Sequence, residues 1–360
     1  MITVASLVFS MTLVALSLVA SQLGPRILQI FMEDRLTQVV LGLFIATFLF
    51  AMNVLGSVGF GKSDEFIPTL GVILSGGLAV FAFVGVILFV HHIARQIQAD
   101  VIIHQTSEKL RAAAENWSKD TENGAVEWVD REKYEELRDA FSGNSREVSI
   151  GRSSGYVQYI NTRQAVHLAN EHDLKITLLH LPGEFMIAGR ALMKVSPASR
   201  VTDEIAEKLR LTVQLGDQRT REQRVDFEML ALVEIALRAL SKGINDPFTA
   251  ISCINWLSAG LAKLMDRYPD YRIHCDKDER VRVLEAPQTF EHYLRKTFGP
   301  IRVAATDLPM VLDRLCEVVA DLRSLAVHPA QQRALGEQMR LLNTTMTKLP
   351  QSRIRNENGT

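Results

Sequence analysis

Charge is nearly missing from the first quarter of this 360-residue sequence. Residues 1–92 hold three basic side chains, Arg26, Arg35 and Lys62, and four acidic ones, Glu33, Asp34, Asp64 and Glu65, which leaves 37 of each sign for the remainder. Cysteine is scarce as well. Cys253, Cys275 and Cys316 lie far apart without metal-ligand spacing, which excludes a disulfide framework and a zinc site and suits a reduced compartment. The polar part has no basic run with interleaved aromatics, so it carries no nucleic-acid footprint. Phosphate-loop, H-E-x-x-H and Ser/His/Asp arrangements are missing too, so an enzyme is the weakest of the functional classes and no cofactor is expected. Histidines are scattered: His167, His172 and His180 are expected to face solvent or end a strand. His91 and His92 are adjacent, hence about 100° apart on a helix, and cannot chelate one ion.

What is present is hydrophobic length. Three uncharged stretches, residues 1–23, 38–58 and 66–90, each exceed the ~20 residues that a helix rising ~1.5 Å per residue needs to cross about 30 Å of hydrocarbon. The first lacks the basic start and A-x-A-like exit of a signal peptide. Residues 1–92 are therefore expected to be a multi-span membrane domain. Arg95, Lys109 and Arg111 follow the third stretch, whereas the loop "GFGKSDEF" has one lysine against two acids. The bias places residues from 91 onward in the cytoplasm. Met1 would then lie outside, which suggests a further span upstream in a longer product.

The spans have faces. On a wheel of about 100° per residue, Thr3, Ser6, Ser10, Ser17 and Ser21 fall within a sector of about 60°. Such a hydroxyl stripe serves close helix packing or lines a wet pathway. Gly71, Ser75 and Ala79 in the third stretch, and Gly42 and Ala46 in the second, repeat the small-residue theme. A homo-oligomer in the bilayer is expected from these faces.

Residues 93–154 read as a stalk and a polar linker. Ile93, Ile97 and Val101, then Ile103, Leu110, Ala113 and Trp117, continue the third span as a helix to about residue 117, although the stripe drifts between the two sets. A short amphipathic helix is expected at 133–141 within the linker. Residues 155–200 read as a small α+β module: the strand "GYVQYIN", a helix capped by Thr162, the alternating "LKITLLHL", and "PGEFMIAGRALMKV" as turn, strand, turn, strand. The last part is similar to half of a lipoyl- or biotinyl-type barrel. Residues 201–350 read as mainly helical, beginning with a helix "DEIAEKLRLTVQLG" opened by Asp203. A hairpin near 271–285 turns at Asp276 to Glu279, and 351–360 form a disordered tail. The expected fold class is thus an α-helical multi-span membrane domain followed by an α+β cytoplasmic domain.

One short string, "ALSKGINDPFTA", has two readings. Gly243 follows a periodic helix as a left-handed C-cap requires, and Asp246 before Pro247 is an N-cap with proline at the first helical position. Every odd residue then has a structural role in a helix corner. Alternatively Asn245, Asp246 and Thr249 form a polar pocket for an ion or small ligand.

"SLVFSMTLVALSLVASQLGPRIL", "DRLTQVVLGLFIATFLF", "SGYVQYIN" with "LPGEFMIAGRAL", and "ALRALSKGINDPFTA" together resemble a bacterial family of predicted membrane proteins catalogued as domain of unknown function 2254. The resemblance covers nearly the whole chain. It implies a bacterial inner-membrane protein with about four spans near its N-terminus, and it brings no activity or catalytic residues with it. Two functions follow as expectations. The first is an oligomeric channel-like or gating protein with a cytoplasmic regulatory domain; the second is a membrane-anchored sensor or scaffold whose cytoplasmic domain binds a metabolite or a protein.

Overall fold

A computed structural model describes residues 35–57, 69–96, 98–119, 126–218, 225–266 and 268–348, together with the single helical positions Ser6, Ser10, Met11, Leu13, Val14 and Ser17. The expected tail at 351–360 lies outside the described residues. The chain divides into two compact units: residues 1–105 with 238–249, and residues 106–237 with 250–360.

The first unit contains α1 (Arg35–Ser57) and α2 (Thr69–Gln96). Within them Gln38–Ser57 and Thr69–His92, 20 and 24 residues, are long and apolar enough to cross a membrane. The two helices pack on each other. Val40, Phe44 and Thr47, spaced four and three apart, form the buried stripe of α1, and Ala82 and Phe89 that of α2. Leucine, isoleucine, valine and phenylalanine cover the other faces. An apolar surface of that kind is stable in lipid and not in water.

The helix after α2 is not a continuous stalk. α2 ends at Gln96 and α3 runs Ala99–Lys119. The Gln98 carbonyl starts the new helix by accepting from the amides of Val101, 3.1 Å, and Ile102, 3.3 Å. No proline or glycine stands there. The break falls at Gln98, inside the set Ile93, Ile97 and Val101 and ahead of the point where the apolar stripe drifts.

The second unit is α+β. Its larger sheet has the order β1 (Val126–Val129), β8 (Tyr271–Cys275), β9 (Val281–Leu284), β4 (Lys175–Leu178), β6 (Ala191–Ser196), β2 (Arg146–Ser149). All its pairings are antiparallel except β4 with β9. A smaller antiparallel sheet has the order β5 (Phe185–Met186), β3 (Gly155–Ile160), β7 (Val213–Gly216). Val148, Val157, Ile160, Ile176, Met193, Val195 and Val283 are buried in one core. Leu168 of α5 (Thr162–Glu171) and Leu209 of α6 (Asp203–Arg210) complete it. A second cluster joins Tyr134 and Phe141 of α4 (Arg131–Ser142) to Tyr271, Ile273 and Leu284.

These pairings correct several sequence expectations. β3 and β5 lie in one sheet and β4 and β6 in the other, each completed by strands from outside 155–200, so the half-barrel of lipoyl type does not form. The segment 126–149, expected to be linker around a short helix at 133–141, has that helix as α4 but also supplies β1 and β2. The helix opened at Asp203 stops at Arg210, and Val213–Gly216 is strand because it pairs with β3. Asn161, not Thr162, caps α5, accepting from the Gln164 amide at 3.1 Å. Likewise Thr202 caps α6.

The helices are α7 (Val225–Ala239), α8 (Pro247–Met265), α9 (Phe290–Ala304), α10 (Pro309–Leu325) and α11 (Pro329–Thr347). Pro309 and Pro329 stand at the starts of α10 and α11, where the missing N–H costs nothing. By length and composition α8 also suffices to cross a membrane. Its apolar residues are spent otherwise: Ala250, Cys253, Ile254, Leu257, Leu261 and Leu264 are buried in protein.

Candidate functional site

The corner between α7 and α8 brings Asn245, Asp246 and Thr249 together. The Asp246 carboxylate accepts from the Thr249 amide through Oδ1, 3.1 Å, and from the Thr249 hydroxyl through Oδ2, 2.6 Å. Both carboxylate oxygens are thereby engaged in an N-cap. The backbone is equally closed: the Ser241 carbonyl accepts from the amides of Ile244, 3.1 Å, and Asn245, 2.8 Å, and the Asp246 amide donates to the Ala239 carbonyl at 2.7 Å. The left-handed residue of the turn is Asn245, φ +50°, and not Gly243. Asparagine tolerates that region through its short polar side chain. The geometry at Asp246 and Thr249 is therefore that of a cap, with the side chain of Asn245 exposed beside it.

Of the hydroxyl stripe, Ser6, Ser10 and Ser17 are helical and exposed, while Thr3 and Ser21 lie outside the described residues. Gly71, Ser75 and Ala79 are half-buried, whereas Gly42 and Ala46 are exposed and Gly42 has open space around it. Polar side chains in α1 and α2 turn back on their own helices. The Thr47 hydroxyl donates to the Leu43 carbonyl at 2.7 Å, the Asn53 amide to that of Leu49 at 3.2 Å, and the Ser75 hydroxyl to that of Val72 at 2.9 Å.

The densest polar arrangement in the second unit surrounds the β8–β9 hairpin, and sequence reasoning did not single it out. Arg282 is buried and its Nε donates to Asp276 Oδ2 at 2.7 Å. Its Nη1 donates to Asp173 Oδ1 at 2.8 Å. Asp276 also closes the turn, accepting from the amides of Asp278, 2.9 Å, and Arg280, 3.0 Å. Burial alone would raise the Asp276 pKa, but the guanidinium and the two turn amides outweigh it and hold the value below the ordinary one. Hydrogen bonds from Arg282 and then Arg200 hold Asp173 down at about 2.

Across the hairpin the buried His274 of β8 meets Glu285, which follows β9, Nε2 to Oε1 2.6 Å, with Arg272 Nη1 at 3.8 Å from the same oxygen. The Arg272 guanidinium lies 5.6 Å from the centre of the Trp128 ring. The Tyr134 hydroxyl donates to the Glu285 carbonyl at 2.6 Å, and burial pushes its pKa up. That hydroxyl serves the backbone, and burial raises the neighbouring Cys275 thiol to about 11. Such a thiol is almost wholly protonated at neutral pH and inert. Among the described residues no group of His, Cys, Asp and Glu is arranged to hold a metal ion. The sequence signal for this cluster was the charge inside the strand "RVRVLE"; only the pairing of β9 with β4 made it internal.

The chain is 28% identical over 350 residues to an uncharacterized protein of Mycobacterium bovis, and equally to uncharacterized proteins of two strains of Mycobacterium tuberculosis. The alignment covers 95% of this chain and 65% of each relative, so the chain spans about two thirds of the length of the curated relatives it matches. No solved structure matches it. Residues 1–321 match the family described as "Predicted membrane protein (DUF2254)", and the chain, with its long apolar helices, belongs to that family.

Proposed function

We propose that this protein is a membrane-anchored sensor or scaffold: its apolar helices hold and assemble the chain in a bacterial inner membrane, and its α+β unit engages a metabolite or protein partner on the cytoplasmic side. The observation that carries this reading is that polar side chains of the apolar helices turn back on their own backbone. Thr47, Asn53 and Ser75 each donate to a carbonyl of their own helix, and no ionisable residue lies within 38–57 or 69–90. A pathway for ions or polar solutes needs polar groups turned toward it.

A channel-like or gating protein is the second reading, and the exposed hydroxyls of Ser6, Ser10 and Ser17 favour it. Conductance of the purified, reconstituted protein separates the two. Silence from both the parent and a Ser10→Leu, Ser17→Leu variant, with folded oligomers present, is expected for the anchor. Current in the parent that the double leucine variant blocks would make the hydroxyl stripe a pathway and displace the first reading.

A further inference from the structure

Within the second unit β2 and β6 stay paired beyond their ladder, and the extension carries arginine on both sides. The Ile150 amide donates to the Arg190 carbonyl at 3.1 Å, and the Gly189 amide to the Gly151 carbonyl at 2.9 Å. Gly151 and Gly189 are both left-handed, φ +83° and +82°, a region that a residue with a Cβ rarely enters. Each is followed directly by an arginine, Arg152 and Arg190, so the same Gly-Arg step stands on both facing segments. The Ala188 amide donates to the Ser154 hydroxyl at 2.8 Å and ties the segments together further out. A third arginine reaches this place from α6: a Cβ on Gly151 would stand 3.1 Å from Arg210 Nη1.

The charge here is not balanced. The side chains of Arg152 and Arg190 are exposed and form no ion pair or hydrogen bond among the described residues. The nearby acids are taken: Glu207 pairs with Arg210, Glu147 with Lys194 at 3.7 Å, and Glu184 with His180 at 2.9 Å. Asp217, next after β7, pairs with neither arginine. The amides of Arg152 and Ser153 donate to no acceptor among the described residues, and the Ser153 hydroxyl has no partner there. Successive amides beside a left-handed residue form anion-binding concavities.

We propose that the paired segments 150–154 and 187–190 bind a phosphate group. Arg152 and Arg190 clasp its oxygens with their guanidinium forks, and the amides of Arg152 and Ser153 with the Ser153 hydroxyl supply neutral donors. A carboxylate offers two oxygens and one charge, enough for one fork; a phosphate monoester offers three oxygens and close to two charges, enough for both. The phosphate belongs either to a soluble phosphorylated metabolite or to a phospholipid headgroup, which share this chemistry. The inference names a ligand class for the binding role of the α+β unit and rests on that reading.

The test is calorimetric titration of inorganic pyrophosphate into the full chain in phosphatidylcholine nanodiscs at fixed ionic strength. Saturable binding is expected in the parent, weakened about tenfold in Arg152→Gln and in Arg190→Gln and lost when both are changed. Arg333→Gln, at an exposed arginine of α11, should leave it unchanged. Lysine at 152 and 190 keeps the charge without the fork, and should fall between the parent and the double glutamine variant. No binding in the parent overturns the inference. So does binding that the double variant retains, or that Arg333→Gln weakens equally, which would mean general charge attraction. Titration in discs containing phosphatidic acid, against discs with oleic acid as an anion without phosphate, separates the two sources. A several-fold loss of pyrophosphate affinity with phosphatidic acid alone assigns the site to a headgroup, and unchanged affinity to a soluble phosphate. The conductance experiment reads the anchor independently: silence there with no pyrophosphate binding fails this inference alone, and blocked current fails the anchor whatever pyrophosphate does.

Discussion

Arg282 and Asp276 face each other across the β8–β9 turn, Nε to Oδ2 at 2.7 Å, with 5% and 2% of their side chains exposed. Because Asp276 also accepts two turn amides, the pair ties the hairpin to itself, and through Asp173 to the start of β4. Truncating Arg282 strands a buried carboxylate. Arg282→Met is expected to destabilise the second unit by about 3–5 kcal/mol, and Arg282→Met with Asp276→Leu by less than the single change. Denaturant unfolding of the three proteins checks it; a neutral single variant would show that the pair is not fixed.

Asp173 gives the molecule an acid-side dependence. Its carboxylate sits at about 2 through bonds from Arg282 and Arg200, below the ~3.9 of an unfolded aspartate. The sign follows: the contribution is fully present above the unfolded value and drains away as pH falls through the folded one. The Tm gap between the parent and Asp173→Asn should be constant above pH ~5 and close as pH approaches ~2. A gap that stays constant across that window would mean Asp173 is not held by its arginines.

Gly260 lets α8 approach α3. A Cβ there would stand 2.5 Å from Leu110 Cδ2, and Leu110 is itself buried. Gly260→Ala is expected to cost about 1–3 kcal/mol through overpacking, despite the better helix propensity of alanine. Adding Leu110→Ala should make the glycine change nearly neutral, and a double-mutant cycle in thermal unfolding measures that coupling.

The three thiols should separate by access. Cys253 and Cys275 are buried and Cys316 is partly exposed. At pH ~8 a maleimide is expected to modify Cys316 first and Cys275 only on unfolding, because the Cys275 thiol stays protonated. Mass spectrometry of the labelled peptides decides the order; early labelling of Cys275 would show that the end of β8 opens readily.

Asp246 acts as a cap by geometry. Asp246→Ala is expected to cost about 1 kcal/mol, with Asp246→Ser recovering most of it. If serine restored stability but left a phenotype as severe as alanine does, the carboxylate would have a role in ligand binding beyond the cap.

Local chemistry was legible wherever it stays local. The long apolar runs, the cap and proline of the "GINDP" corner, the hairpin turn at 276–279 and the helices α9, α10 and α11 all rest on contacts within a few residues of chain. The break between α2 and α3 was not legible, because the apolar set Ile93, Ile97 and Val101 runs straight across it. The left-handed residue fell on Asn245 rather than Gly243 because the turn closes on the Ala239 carbonyl two residues later than a glycine cap would.

Strand partners were not legible. β1 and β2 lie in polar sequence and become strands by pairing with β8 and β6, far along the chain. The same holds for the hairpin charges. A sequence thus determined that the first part of this protein has surfaces suited to lipid and that α7 and α8 meet at a capped corner, since both depend on composition and short-range backbone bonds. Which charges are buried, which strands share a sheet, and that Ile244 and Phe248 face outward were decided by tertiary structure alone, because only long-range packing determines what each side chain meets.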